Sequence, residues 1–134
     1  MKKDIVIPEA KNVMLAVVRE KSGLAQDEWK VMLINNNPFP IENTLVASQG
    51  YGEKAGEPQR TSTLRHFLET VPANSSALVE SIDPQLFHLS NEYWVSYYVG
   101  THIFDRRFVF VPESISEQNL IFIKELNAEG VMHS

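Results

Sequence analysis

Apolar and polar residues alternate with a period of two along much of this chain. Neighbouring side chains on an extended strand point to opposite faces, so this pattern predicts half-buried strands. The strongest run is residues 93–99 (Tyr-Trp-Val-Ser-Tyr-Tyr-Val), followed by residues 103–111 (Ile-Phe-Asp-Arg-Arg-Phe-Val-Phe-Val). Gly100-Thr101 between them suits a two-residue hairpin turn with Gly first. That turn sets Val99 opposite His102, Trp94 opposite Arg107 and Ser96 opposite Asp105.

Other segments read the same way. Residues 12–19 are rich in β-branched side chains and apolar on both faces, which predicts a strand inside a sheet. Residues 29–35 place Trp29, Val31 and Leu33 on one face and Lys30, Met32 and Ile34 on the other. Residues 41–48 and 77–82 are further strands. Residues 60–68 read as a strand as well, although Leu64, Phe67 and Leu68 also have helical spacing.

Turn chemistry separates these runs. Residues 1–12 form an extended arm in which Pro8 is unsuited to a central strand. Residues 20–28 make a loop around Ser22-Gly23, and residues 35–40 (Asn-Asn-Asn-Pro-Phe-Pro) and 70–76 make turns. Residues 49–59 hold three of the six glycines and a proline, which predicts a loop. Asp83 and Pro84 suit the cap and first position of a helical turn over 83–89. Ser114-Ile115-Ser116-Glu117 matches a capping box and predicts one or two helical turns over 115–119. Extended segments at 120–123 and 131–133 are then joined through Gly130.

Six to eight short strands at regular intervals with turn residues between them predict an all-β fold. The expectation is a single-domain antiparallel β-sandwich over residues 1–134, immunoglobulin-like, with a small barrel as the alternative.

Composition narrows the function. The chain has 134 residues, 43% apolar and 22% charged, enough for one hydrophobic core. The net charge of −5 opposes general nucleic-acid binding, which needs cations to displace phosphate counterions. The sequence holds no cysteine, which excludes a disulfide scaffold, a thiolate metal site and a cysteine nucleophile. The two lysines at the start are followed by Asp4, Pro8 and Glu9 rather than an apolar stretch, and no apolar run reaches bilayer length. A cytoplasmic protein with no membrane contact is expected.

Several segments together resemble a family of short, uncharacterised bacterial proteins. They are residues 29–35, 45–52, 61–66 and 71–75, with Asn91-Glu92-Tyr93, Phe108-Val109-Phe110 and Gly130-Val131. Some members of that family are labelled as a phenylalanyl-tRNA synthetase subunit. That label implies an aminoacylation domain much longer than this chain, with arginine-bearing motifs around ATP. Arg65-His66-Phe67-Leu68-Glu69 has the residue types of one such motif, without its flanking sheet or companion motifs. The resemblance transfers no catalytic residues.

Candidate chemistry is sparse. The Gly50-x-Gly52-x-x-x-Gly56 run is followed by Pro58 and a strand pattern, not by the helix that a phosphate cradle requires. His66, His88, His102 and His133 lack metal-ligand spacing, and there is no Gly-x-Ser-x-Gly elbow. No catalytic, metal or cofactor site is therefore expected. A small hydrolase site beside His66 is the enzymatic alternative.

Arg60, Arg65 and His66, with Lys54 nearby, are candidates for an anion contact. Tyr93, Trp94, Tyr97, Tyr98 and Arg107 are candidates for an interface, since aromatic residues and arginine dominate binding energetics. Arg107 over Trp94 is an expected cation–π pair. The best-supported expectation is a non-enzymatic module that binds a protein partner or forms a homo-oligomer. The alternative is an RNA- or tRNA-associated module using Lys54, Arg60, Arg65, Arg106 and Arg107.

Overall fold

A computed structural model describes residues 11–21 and 26–134. Most of the arm expected over residues 1–12, and the Ser22-Gly23 turn, lie outside the described residues. Ten strands are present among those described. They are β1 (Val13–Glu20), β2 (Glu28–Asn35), β3 (Ile41–Lys54), β4 (Glu57–Arg60), β5 (Leu64–Val71), β6 (Ser75–Ser81), β7 (Ser90–Val99), β8 (His102–Phe110), β9 (Ile121–Ile123) and β10 (Ala128–His133). The first sheet has the order β6-β2-β1-β10-β9. In the second, β3 pairs with β7, β7 with β8, and the other edge of β3 is shared by β5 and β4. All the pairings are antiparallel. The two sheets pack face to face, so the expected β-sandwich is the fold.

Alternation decides what lies between the sheets. Val13, Leu15, Val17, Val31 and Leu33 of the first sheet meet Ile41, Val46, Val95 and Phe108 of the second in one buried cluster. A second buried cluster explains why β1 is apolar on both faces. Ala16, Val18, Ile34 and Ile123 pack with Met14, Met32 and Met132 on the far side of the first sheet.

The hairpin register derived from Gly100-Thr101 is the one that forms, from Val99 opposite His102 to Trp94 opposite Arg107. Gly100 has φ +59, a conformation that favours glycine at this turn position. Residues 64–71 form a strand rather than a helix. The helical turn after Asp83 is a 3-10 turn, Pro84–Leu86, and the Asp83 carboxylate accepts from the Gln85 amide.

Four expectations need correction. The chain has ten strands among its described residues, more than six to eight. Residues 49–59 are not a loop: β3 runs on through Lys54 and returns as β4 through a two-residue turn at Ala55-Gly56. Both turn residues have positive φ, +53 and +80, the geometry that matches strand twist in a tight hairpin. The capping box does not form. Ser114 Oγ donates to the Val111 carbonyl, and the single 3-10 turn Glu117–Asn119 begins at Ser116 without a side-chain cap. Gly130 lies inside β10, and the turn into that strand is made by Asn127 at φ +49.

Candidate functional site

The partner of β3 changes along its length. β5 covers residues 41–48 and β4 covers 51–54. Where the two meet, this edge of β3 is held by the Thr61 connector: the Thr61 amide donates to the Gly50 carbonyl, and the Gly50 amide donates to Thr61 Oγ1, both at 2.8 Å, while β7 stays paired along the opposite edge. A cavity of about 310 Å³ lies at this gap, between β3, β7 and β6. Its apolar walls include Leu64, Ile82 and Leu86.

Glu80 supplies the charge. It belongs to β6 in the first sheet, yet three donors of the second sheet converge on it. Ser48 Oγ donates to Oε1 at 2.8 Å, His66 Nε2 meets Oε1 at 2.6 Å, and Tyr93 OH donates to Oε2 at 3.1 Å. The Glu80 side chain is 12% exposed and that of His66 is 29% exposed. Strict alternation from Ala77 and Val79 would turn Glu80 outward. A register shift sets Val31 opposite Glu80 and Met32 opposite Leu78, which leaves Val79 unpaired and swings Glu80 inward, as bulges do.

Burial raises the Tyr93 pKa well above its ordinary value, and the Glu80 carboxylate adds to the effect. Burial raises Tyr97 too, against the pull of Arg106. A phenol held protonated in the folded state favours folding below its unfolded pKa of about 10, and that contribution falls away as pH rises further. Urea unfolding between pH 8 and 11 should show stability declining above about pH 10. Tyr93→Phe should remove part of that slope. At pH 8 it should cost about 1–2 kcal/mol for the lost hydrogen bond to the carboxylate. An unchanged slope in the variant would contradict this assignment.

The arrangement does not make a nucleophile. Ser48 and His66 both hold Glu80 Oε1, so the hydroxyl is bonded to the carboxylate and not to the imidazole that would activate it. Among the described residues no cluster of His, Asp and Glu could hold a metal ion.

The three residues of the expected anion contact do not share one face. Arg65 lies on the outer face of β5 opposite Ala47, His66 on the inner face at Glu80, and Arg60 on β4 opposite Tyr51. The aromatic candidates also divide. Tyr93 and Tyr97 are 1% and 2% exposed and belong to the core, because odd-numbered positions of β7 face inward. Trp94 and Tyr98 face outward. The Arg107 guanidinium goes to Glu92 and, at 3.4 Å, to Tyr51 OH. The cation–π contacts found among the described residues are Arg19 with Trp29 and Arg106 with Phe108.

The outer face of the second sheet carries an apolar surface. Phe67 is 60% exposed, Ile103 56%, Trp94 48%, Leu45 40% and Tyr98 36%. Register makes them neighbours: Phe67 lies opposite Leu45, Ala47 opposite Trp94, and Tyr98 opposite Ile103. Trp94 is flanked across the sheet by Ala47 on one side and Arg107 on the other. Phe67, Leu45 and Ile103 are absent from the interface candidates named from the sequence, although any strand over residues 60–68 puts Phe67 on the same face as Arg65. Neither a family model nor a curated protein matches the chain.

Proposed function

We propose that this protein is a non-enzymatic binding module that docks a second copy of itself through the outer face of the second sheet. The observation that carries the proposal is the contiguous exposure of Leu45, Phe67, Trp94, Tyr98 and Ile103, since an exposed apolar patch of this kind marks an interaction surface. Charges of both signs surround it: Arg65 and Arg107 against Glu42, Glu69 and Asp105. A patch that meets its own copy must be self-complementary, and a mixed rim satisfies that condition.

The connectivity supports the immunoglobulin-like expectation. Counting the β4–β5 segment as one strand, the first, second and fifth strands pair in one sheet and the third, sixth and seventh in the other, as in immunoglobulin sandwiches. A cytoplasmic setting accords with the absence of cysteine from the sequence. The RNA-associated reading has less support, because Arg106 and Arg107 face opposite sides of β8 and Arg107 is neutralised by Glu92.

Light scattering during size exclusion tests the proposal. The wild type should elute with the mass of two chains at high loading. Trp94→Glu should elute as one chain with its thermal unfolding nearly unchanged, because Trp94 is half exposed and a surface change costs less than about 0.5 kcal/mol. A wild type of single-chain mass at every loading would overturn the proposal.

A further inference from the structure

The cavity beside Glu80 is rich in acceptors and short of cations. A carboxylate offers about four lone-pair sites, and Ser48, His66 and Tyr93 fill three of them. Asn91 is 4% exposed and donates its Nδ2 to the carbonyls of Leu86 and Leu89. Among the described residues nothing donates to its Oδ1, which lies beside Gly50 on the cavity wall. No lysine or arginine occurs among the described residues lining the cavity. The imidazole of His66 balances the Glu80 charge only when protonated. A largely buried carboxylate with an unfilled acceptor site stands to gain most from a cationic donor.

We infer that this cavity binds a small organic cation, an alkylammonium or guanidinium group. Its N–H donors meet Glu80 Oε2 and Asn91 Oδ1, and its alkyl portion lies against Leu64, Ile82 and Leu86. The volume of about 310 Å³ is at the lower end for ligand pockets, which suits a short chain and not a nucleotide. An anion is disfavoured by Glu80. A neutral alcohol could reach the same acceptors but would leave the carboxylate charge unbalanced. This site is separate from the outer face of the second sheet, so it stands or falls independently of self-association.

Titration of the ¹⁵N-labelled full chain tests it, with n-butylammonium chloride and n-butanol in parallel. Saturable shifts are expected for butylammonium at the Gly50 and Ser81 amides and the Asn91 side chain, with butanol at least about tenfold weaker. A third arm with N-acetyl-lysine methylamide distinguishes the source of the amine. Tighter binding than butylammonium assigns the site to a lysine side chain of a protein, and weaker binding to a free amine. Glu80→Gln removes the charge and should weaken butylammonium at least about tenfold. Ser62→Trp narrows the mouth without touching the bonds to Glu80; it should abolish the shifts in a chain that still gives a folded spectrum. No saturable shift, equal response to butanol, shifts mapping elsewhere, or undiminished binding in Ser62→Trp would each overturn the inference.

Discussion

Asn35→Leu should lower the unfolding free energy by about 4 kcal/mol, among the largest losses expected for a single polar residue. Asn35 ends β2 and is fully buried. Its Nδ2 donates to the carbonyls of Phe39 at 3.0 Å, Pro72 at 3.0 Å and Val71 at 3.2 Å. Its Oδ1 accepts from the Asn37 amide at 3.1 Å and from Asn37 Nδ2 at 2.9 Å. Asn37 Nδ2 in turn reaches the Lys11 carbonyl. One side chain therefore ties the end of β2 to the turn before β3 and to the end of β5, across both sheets. Leucine keeps the volume and removes every one of these bonds. Each buried group left unpaired costs about 1–3 kcal/mol. Urea unfolding should show a lower midpoint with an unchanged slope, the sign of lost stability rather than an altered denatured state. A loss below about 1 kcal/mol would show that water replaces these bonds freely.

Gly130→Ala should cost about 2 kcal/mol, roughly 8 °C in Tm. Gly130 is buried in β10, between Val18 of β1 and Ile121 of β9. A methyl group there would sit 2.6 Å from the Val17 carbonyl oxygen and 3.0 Å from both Ile123 Cδ1 and Val18 Cγ1. The first of these is backbone in a strand paired on both sides, so it cannot rotate away. Either β10 separates from β1 or the β9–β10 hairpin lifts off the first sheet. Scanning calorimetry on the purified variant checks the value. A Tm within about 2 °C of wild type would mean that β10 yields at little cost.

The strands and the hairpin register were legible because period-two alternation and turn residues act locally. Gly100-Thr101 alone set the pairing of Trp94 with Arg107. Local rules failed where the chain broke its own period. Gly50, Gly52 and Gly56 resemble loop composition, yet Ala55 accepts a positive φ and the segment folds as a hairpin. The bulge at Val79 reverses Glu80, and nothing in Ala77-Leu78-Val79-Glu80 marks it. The edge cavity was illegible for the same reason, since its charge arrives through that bulge from the opposite sheet. Tyr93 and Tyr97 could be separated from Trp94 and Tyr98 by alternation, but which pair faced the core depended on the packing of the other sheet.

Dilution of the ¹⁵N-labelled protein, followed residue by residue, tests the docking claim most directly. Amide shifts should move with concentration at Leu45, Phe67, Trp94, Tyr98 and Ile103 and their neighbours on the outer face, and stay fixed on the first sheet. Shifts that do not change with concentration, or that change only on the first sheet, would contradict the assignment of this face as the surface that meets a second copy.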